Sequence, residues 1–468
     1  MSQLTPRVAV LGGGAAGLAA AVRLRARGAE AVLLEASGAT GGVIRTIRRD
    51  GWIAEAGANS VAEPDPGVRA LLDAAGLGDR TLRASSASAR RYLVHQGRLV
   101  AVPSSVGELV SWPVLSAAGR MRLLKEPFIK AAPADAEETV DAFVRRRLGD
   151  EMAERVFDPL IGGSTAGDPA QLLVRYVLPR LVEWEQLGGS LLKGAMRAGM
   201  DARRRAGRAS AAPRGNWSCP SGLGELAEQL TRQLGEGVRT GVRVVAVTPI
   251  GGGFEVADDS GQRERFSGVV CAVPARAFES VRIEGRDAGA LVDLAAMPHA
   301  SLATISLGFR RADVEHSLEG SGVLAPFCEQ RPILSTLFAS SLFPGRAPEG
   351  HVLLTSFLGG VRHPELAALS EGELVALVQQ ELGALLGVRG EPRFRQVTRW
   401  QEGQPQAVAG HTARLAAVDT VEQVCPGLVF AGAWRDGLPL ADVMRGGMAA
   451  ADRLAAGLRL PATGVPLL

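Results

Sequence analysis

An apolar run, Val8-Ala9-Val10-Leu11, breaks directly into Gly12-Gly13-Gly14-Ala15-Ala16-Gly17. Gly12, Gly14 and Gly17 fit G-x-G-x-x-G. A strand-like segment precedes them and helix-forming residues, Ala19 to Arg27, follow. Each glycine has a physical reason. Gly12 permits the tight turn, Gly14 lets a pyrophosphate approach the backbone, and Gly17 lets the helix pack on the strand. Gly13, Ala15 and Ala16 belong to the same cofactor-binding loop. The helix N-terminus offers free N–H groups and its positive dipole end to phosphates. Gly28 ends the helix, and Ala31-Val32-Leu33-Leu34 forms a second strand ending on Glu35. An acid there accepts hydrogen bonds from ribose hydroxyls, so the expected ligand is a dinucleotide without a 2′-phosphate.

A chain of 468 residues exceeds one ordinary core, and two or three domains are expected. The fold class this implies is α/β, with a Rossmann-like nucleotide domain. A net charge of +3 is too mild to argue nucleic-acid binding. With only two tyrosines the chain also lacks the aromatic residues of a stacking platform. Cys219, Cys271, Cys328 and Cys425 form no C-x-x-C pair, which fits free thiols in a reducing compartment. The six histidines show no ligand spacing, so no metal is expected. The N-terminus has no apolar signal core, and no run of about 18 apolar residues predicts a spanning helix. A cytoplasmic location follows as the expectation.

Five segments organise the chain. Residues 1–84 and 211–295 read as nucleotide-binding segments, the second with a β-meander. The meander is marked by Val242, Val244 and Ala246, a Gly251-Gly252-Gly253 turn, and the buried strand Val269 to Val273. Residues 85–210 read as mostly helical, with helices over Glu137 to Leu148 and Met152 to Phe157. Its basic end, Arg203-Arg204-Arg205 and Arg208 to Arg214, reads as an exposed loop. Residues 296–410 mix strands with an amphipathic helix, Glu371 to Leu386. Residues 411–468 return to the nucleotide domain through Leu428-Val429-Phe430-Ala431-Gly432, a loop, and a helix from Met444 to Ala456.

Two sets of residues carry a family resemblance. Gly41-Gly42-Val43 with Arg45-Thr46, shortly after Glu35-Ala36, resembles the second glycine pair of amine-oxidase-like flavoproteins, where it lies along FAD. Further blocks resemble the protoporphyrinogen oxidase family within that group. They include Arg90-Arg91-Tyr92-Leu93, Asp141 to Gly149, Pro159-Leu160-Ile161-Gly162-Gly163 and Ala166-Gly167-Asp168. They continue with Ser340 to Pro348, Leu353 to Gly360, Arg399-Trp400, Pro405-Gln406 and Gly410-His411. The chain departs from the pattern at Thr165, Ser321, Ala407, Val443 and Leu438-Pro439-Leu440.

The resemblance implies an FAD-binding domain, a mixed α+β substrate domain and a helical insertion of membrane-binding type. It implies oxidation of a porphyrinogen, protoporphyrinogen IX to protoporphyrin IX, with molecular oxygen as acceptor. FAD contacts are expected from Ala36, Gly42, Val43, Arg45, Gly57, Ala58, Asn59, Ser60, Val244, Trp400, Gln406, Gly432, Leu438, Pro439 and Leu440, besides the first loop and Glu35. Asn59 is the expected catalytic residue, polarising a pyrrole N–H or orienting the substrate; the alternative is a turn asparagine. Arg91 is expected to grip a propionate with two hydrogen bonds, with Arg90 its competitor. Leu324, Leu337 and Phe357 match positions that sandwich the macrocycle, and Gly167 matches a place where a small residue lets the ring approach. Coproporphyrinogen III oxidation, another amine-oxidase-like reaction, and a flavin-holding protein without turnover remain open. Met121, Leu123, Leu124, Phe128 and Ile129, interleaved with Arg120, Arg122, Lys125 and Lys130, fit either peripheral membrane contact or a core-facing helix with a solvated basic edge. A homodimer is compatible with all of this.

Overall fold

In the computed structural model, which describes residues 5–62, 66–133, 135–206, 215–284 and 288–461, the opening apolar run is the central strand of a five-stranded sheet. The order is Val238–Thr240, Glu30–Glu35, Arg7–Leu11, Gly268–Cys271, Leu428–Phe430, and every pairing is parallel. A parallel sheet is covered on both faces, so its strands are apolar on both sides. Val8, Val10, Leu33 and Val270 pack under the helices Ala15–Ala26, Gly224–Leu234 and Leu440–Gly457. Their neighbours Ala9, Leu11, Val32, Leu34 and Val269 pack against the sheet formed by Val244–Ile250, Gly253–Asp258, Arg263–Phe266 and Arg282–Ile283. The first and last helices touch closely: a Cβ on Gly447 would stand 2.1 Å from the Ala16 carbonyl oxygen.

A second sheet has seven strands, in the order Phe394–Pro405, His299–Arg310, His351–Gly359, Ile333–Leu337, Gly322–Leu324, Tyr92–His95, Arg98–Ala101. One face packs on the helix Glu371–Leu386 through Ile305, Leu307, Val323, Leu354, Val378 and Leu382. Ser370 and Glu373 start that helix with a capping box. The two strands from residues 92–101 join through a parallel pairing with Gly322–Leu324, so the middle region supplies strands as well as helices.

The helices Ala117–Leu124, Val140–Leu148, Asp158–Thr165, Pro179–Gly188 and Leu191–Ala206, with three shorter ones, Val106–Ser111, Asp150–Met152 and Val174–Val177, lie in that region. Arg147 lies at its centre, wholly buried. It pairs with Glu185 at 2.6 Å and Glu126 at 3.3 Å and donates to the carbonyls of Ile129 and Gly189. Several expectations are corrected here. Arg203, Arg204 and Arg205 extend the helix Leu191–Ala206 instead of forming a loop, because alanine and arginine propagate a helix well. The remainder of that basic stretch, 207–214 with Arg208 and Arg214, lies outside the described residues. Met152 to Phe157 is interrupted by a π-helical turn, Ala153–Phe157. The last helix begins at Leu440, with Pro439 at its N-cap, not at Met444.

Candidate active site

The nucleotide loop closes inward and opens outward. A Cβ on Gly17 would lie 1.8 Å from the Gly12 carbonyl oxygen, and one on Gly12 would lie 2.7 Å from that of Ala272. Gly14 has nothing within 4 Å of its Cβ position. The helix Ala15–Ala26 starts at Gly14 with no side-chain cap and no acid in its first turn. Its first amides are therefore available to an anion. Glu35 stands beside the loop. Its Oε2 accepts from the Gly13 amide at 2.6 Å, and its Oε1 accepts from the amide and hydroxyl of Ser37 at 2.8 and 2.7 Å. Thus part of its acceptor capacity shapes the loop itself. Ala36 is exposed next to it, and the Val242 amide donates to the Glu35 carbonyl, which brings buried Val244 to the same strand end.

The second glycine pair folds over the first loop. Gly41 donates to the Gly13 carbonyl, and a Cβ on Gly42 would stand 3.2 Å from the Gly14 Cα. Exposed Val43 and Arg45 continue from it, and their carbonyls accept from Ala58 and Ala56. Trp400, from the second sheet, donates from Nε1 to the Ala56 carbonyl at 2.7 Å, and its ring would meet a Cβ on Gly57 at 2.9 Å. So Val43, Gly57, Ala58 and Trp400 form one contact between the halves. Asn59 Nδ2 donates to the Gly57 carbonyl at 2.9 Å, while its Oδ1 has no partner among the described residues. Ser60 is half-buried beside it. Gly432, two residues past the fifth strand, caps the short helix Ala433–Asp436, and Leu438, Pro439 and Leu440 lead into the last helix. The loop, the uncapped helix start and the strand-end acid fit FAD: the first two would hold its pyrophosphate and Glu35 its ribose hydroxyls.

Strand register builds the substrate side. Leu324 pairs with Leu93, Leu337 with Gly322, and Phe357 with Ser335. Extending the parallel register by one residue sets Arg91 beside Gly322. Arg91, Gly322 and Leu337 thus form one row across three strands, on the face opposite the Glu371–Leu386 helix. Leu93 and Leu324 lie on that same face, in a cluster with Trp112 and Val102. The Arg91 guanidinium has no hydrogen bond or ion pair among the described residues. It is open to water yet closely surrounded by protein, and that desolvation lowers its pKa. Phe357 packs with Trp400, Ala166, Leu302, Leu334 and Val361. The helix Asp158–Thr165 covers this face, since a Cβ on Gly163 would stand 2.8 Å from Leu324 Cδ2.

Two of the expected residues pack against the protein's own atoms. Gly167 is small because the protein itself fills its side-chain space: a Cβ would lie 2.3 Å from Gln406 Oε1 and 2.5 Å from Leu172 Cδ1. Gln406 is buried behind the Thr165–Gly167 turn and donates to the Thr165 carbonyl at 3.1 Å. Trp400 thus lies at the seam and Gln406 behind a turn.

Ion pairs that sequence reading missed hold the halves together. Arg346 reaches Glu55 at 3.3 Å and Ser218 Oγ at 2.7 Å, while Glu55 accepts from Leu223 and Thr46. Burial pushes the Glu55 carboxyl up despite Arg346, and burial lowers Arg346. Arg362 bridges Asp158 at 2.5 Å and Asp168 at 2.7 Å, linking the helical region to the second sheet. Burial opposes the Asp168 charge, but Arg362 outweighs it and holds the carboxyl low. Asp168 was visible in a family-like block; its partner, nearly 200 residues away, left no local signal.

The family model described as flavin containing amine oxidoreductase matches residues 15–455. Protoporphyrinogen oxidase 2, chloroplastic/mitochondrial, of Arabidopsis thaliana is 33% identical over 473 residues, covering 95% of this chain and 93% of its own. Coproporphyrinogen III oxidase of Bacillus subtilis (strain 168) is 28% identical over 473 residues, with 96% and 98% covered. The solved structure of an Exiguobacterium sp. 255-15 protein superposes with a TM-score of 0.78 at 24% identity, covering 97% of this chain and 100% of that one. Cyclohexylamine oxidase from Brevibacterium oxydans IH-35A gives 0.69 at 16%, covering 97% and 100%. Both structures are likenesses of fold.

Proposed function

The chain belongs to the flavin containing amine oxidoreductase family and is an FAD-dependent oxidoreductase, and from that premise we propose that it oxidises protoporphyrinogen IX to protoporphyrin IX, with oxygen as acceptor. The observation that carries the substrate is the row Arg91, Gly322, Leu337: an exposed guanidinium with no partner among the described residues, level with an apolar wall. A flat, greasy macrocycle with carboxylate arms needs that combination.

FAD, when bound, supplies the hydride chemistry and returns the electrons to oxygen. This chain's residues do the rest. Arg91 binds a propionate. Leu324, Leu337 and Phe357 flank the ring, and Asn59 Oδ1 accepts from a pyrrole N–H. Trp400 against Gly57 keeps water from the seam. Aromatisation of the product drives the reaction, so no strong protein base is needed.

Coproporphyrinogen III is the competing substrate. Exposed Arg90 beside Arg91 favours it by offering a second cation to extra carboxylates. Oxygen uptake and porphyrin fluorescence, measured on both porphyrinogens, decide between them. The proposal expects faster turnover of protoporphyrinogen IX; turnover of coproporphyrinogen alone overturns that choice.

The proposal extends to peripheral contact with the cytoplasmic face of a membrane. Met121, Leu124 and Phe128 are 59%, 66% and 87% exposed, and Leu187, Leu192, Met196 and Met200 are exposed in the same helical region. Exposed Lys125, Lys193 and Arg197 lie among them. Leu123 and Ile129, from the expected set, are only half-buried edges of this surface. Among the described residues no helix is long and apolar enough to cross a membrane. Flotation with anionic liposomes at low salt tests the contact. Protein left at the bottom of the gradient as a stable homodimer would assign the ridge to a second copy instead.

A further inference from the structure

Ser321 sits where two functional strands meet. Its amide donates to the Arg90 carbonyl at 2.6 Å, and its hydroxyl donates to the same oxygen at 3.1 Å. Its own carbonyl accepts from the Phe338 amide at 3.1 Å, one residue beyond Leu337. The Arg90 carbonyl belongs to the peptide plane from which Arg91 projects. Two donors on it fix that plane, and the Val102 amide fixes the next by donating to the Arg91 carbonyl at 2.8 Å. The segment is also tight around this point. Gly320 has a φ of +137°, and a Cβ there would stand 2.8 Å from the Tyr92 ring and 3.0 Å from the Arg90 oxygen. Tyr92 Oη donates to the Glu319 carbonyl at 2.8 Å.

The contrast with the side chain is informative. The Arg91 guanidinium has no partner among the described residues, so nothing orients it from its tip. Its direction is set at its root, and the root is held by Ser321. The same residue fixes the distance from Arg91 to the Leu337 wall, because its carbonyl holds Phe338. We infer that Ser321 is a positioning residue that aims Arg91 at a carboxylate of the substrate and sets the gap between that anchor and Leu337. The inference rests on the reading of Arg91 given above.

The test compares binding of protoporphyrin IX and its dimethyl ester to the FAD-loaded protein, followed by fluorescence quenching. Wild type should prefer the free acid. Arg91→Ala should reduce that preference roughly ten- to hundredfold. Ser321→Ala keeps the backbone donor and loses the hydroxyl, so it should weaken acid binding roughly three- to tenfold with ester binding unchanged. Ser321→Thr, which restores a hydroxyl, should regain the preference. In turnover, the Ser321→Ala effect should appear in KM more than in kcat. If Arg91→Ala abolishes the preference while Ser321→Ala retains it, the positioning role is wrong. If Ser321→Ala weakens acid and ester alike, the residue only packs, and the inference fails as well. A full preference in Arg91→Ala overturns the Arg91 reading itself.

Discussion

At the nucleotide end, the decisive contacts join residues a few positions apart: the Cβ position of Gly17 meets the carbonyl oxygen of Gly12 at 1.8 Å. At the substrate end, Arg91 meets Gly322 and Leu337 only through the register of three strands. The first arrangement is a backbone device centred on one turn, with Glu35 and Ala272 bracing it from the ends of neighbouring strands. The second exists only once distant segments have paired. A local device fails abruptly when one atom is added, whereas an assembled face loses function by degrees.

Gly17→Val should give the largest effect. No rotamer relieves an overlap with backbone, so destabilisation above about 3 kcal/mol is expected, with loss of flavin absorbance in whatever protein remains. Gly14→Ala sharpens the contrast. Its Cβ meets nothing in the protein, so the thermal midpoint should hold while FAD content falls. A purified Gly17→Val protein carrying full FAD would break the local account.

The seam between the halves comes next. Arg346→Met leaves Glu55 buried without its cation, which costs about 3–5 kcal/mol. Adding Glu55→Gln should recover part of that in urea unfolding. Equal stability of the single and double variants would show that the pair does not hold the seam. On the assembled face, Arg91→Ala should raise the KM for porphyrinogen roughly ten- to hundredfold, about 1.5–3 kcal/mol, with FAD content unchanged.

The smallest effect crosses the boundary. His411 starts a helix of the nucleotide half, and its ring sits edge-on to Tyr176 of the helical region, 4.6 Å away. Burial lowers its pKa from 6.5 to about 4. The unfolded chain therefore binds the proton first, and stability is lost as pH falls from 6.5 towards 4. Asp436 acts oppositely. Burial raises it from 3.8 to about 6, so its contribution is present at low pH and lost as pH rises through 3.8 to 6. Asp436 thus partly offsets His411 in the wild type. The stability of His411→Gln relative to wild type should improve by about 2 kcal/mol between pH 7 and pH 5. Parallel unfolding curves for the two proteins at both pH values would show that His411 is not neutral and buried.

The same contrast explains what was legible in the sequence. The first strand, loop and helix were readable because Gly17 answers Gly12 within one turn, although the Ala272 carbonyl that Gly12 answers lies at the end of a distant strand. The helix Glu371–Leu386 was readable because Ser370 and Glu373 cap it locally. Arg91, Leu324 and Leu337 were named from a resemblance, but nothing local shows that Tyr92–His95 pairs with Gly322–Leu324. Register alone sets Arg91 level with Leu337. The Glu55–Arg346 and Arg362–Asp158 pairs were illegible for the same reason. Gly167 was noticed for its size, yet the atoms that require it belong to Gln406 and Leu172. The Arg203–Arg205 run misled because its flanking glycines and serines look like a loop, while the run itself continues a helix.

Anaerobic mixing of the FAD-loaded protein with protoporphyrinogen IX is the most direct test of the central claim, that this chain joins a flavin site to a porphyrinogen-binding face. Oxidised-flavin absorbance should bleach as each FAD takes one electron pair from the porphyrinogen; when air is admitted the absorbance should return, and porphyrin fluorescence, which needs three such pairs, should appear. Flavin absorbance that stays unchanged with excess porphyrinogen, in protein with full FAD content, would contradict the account.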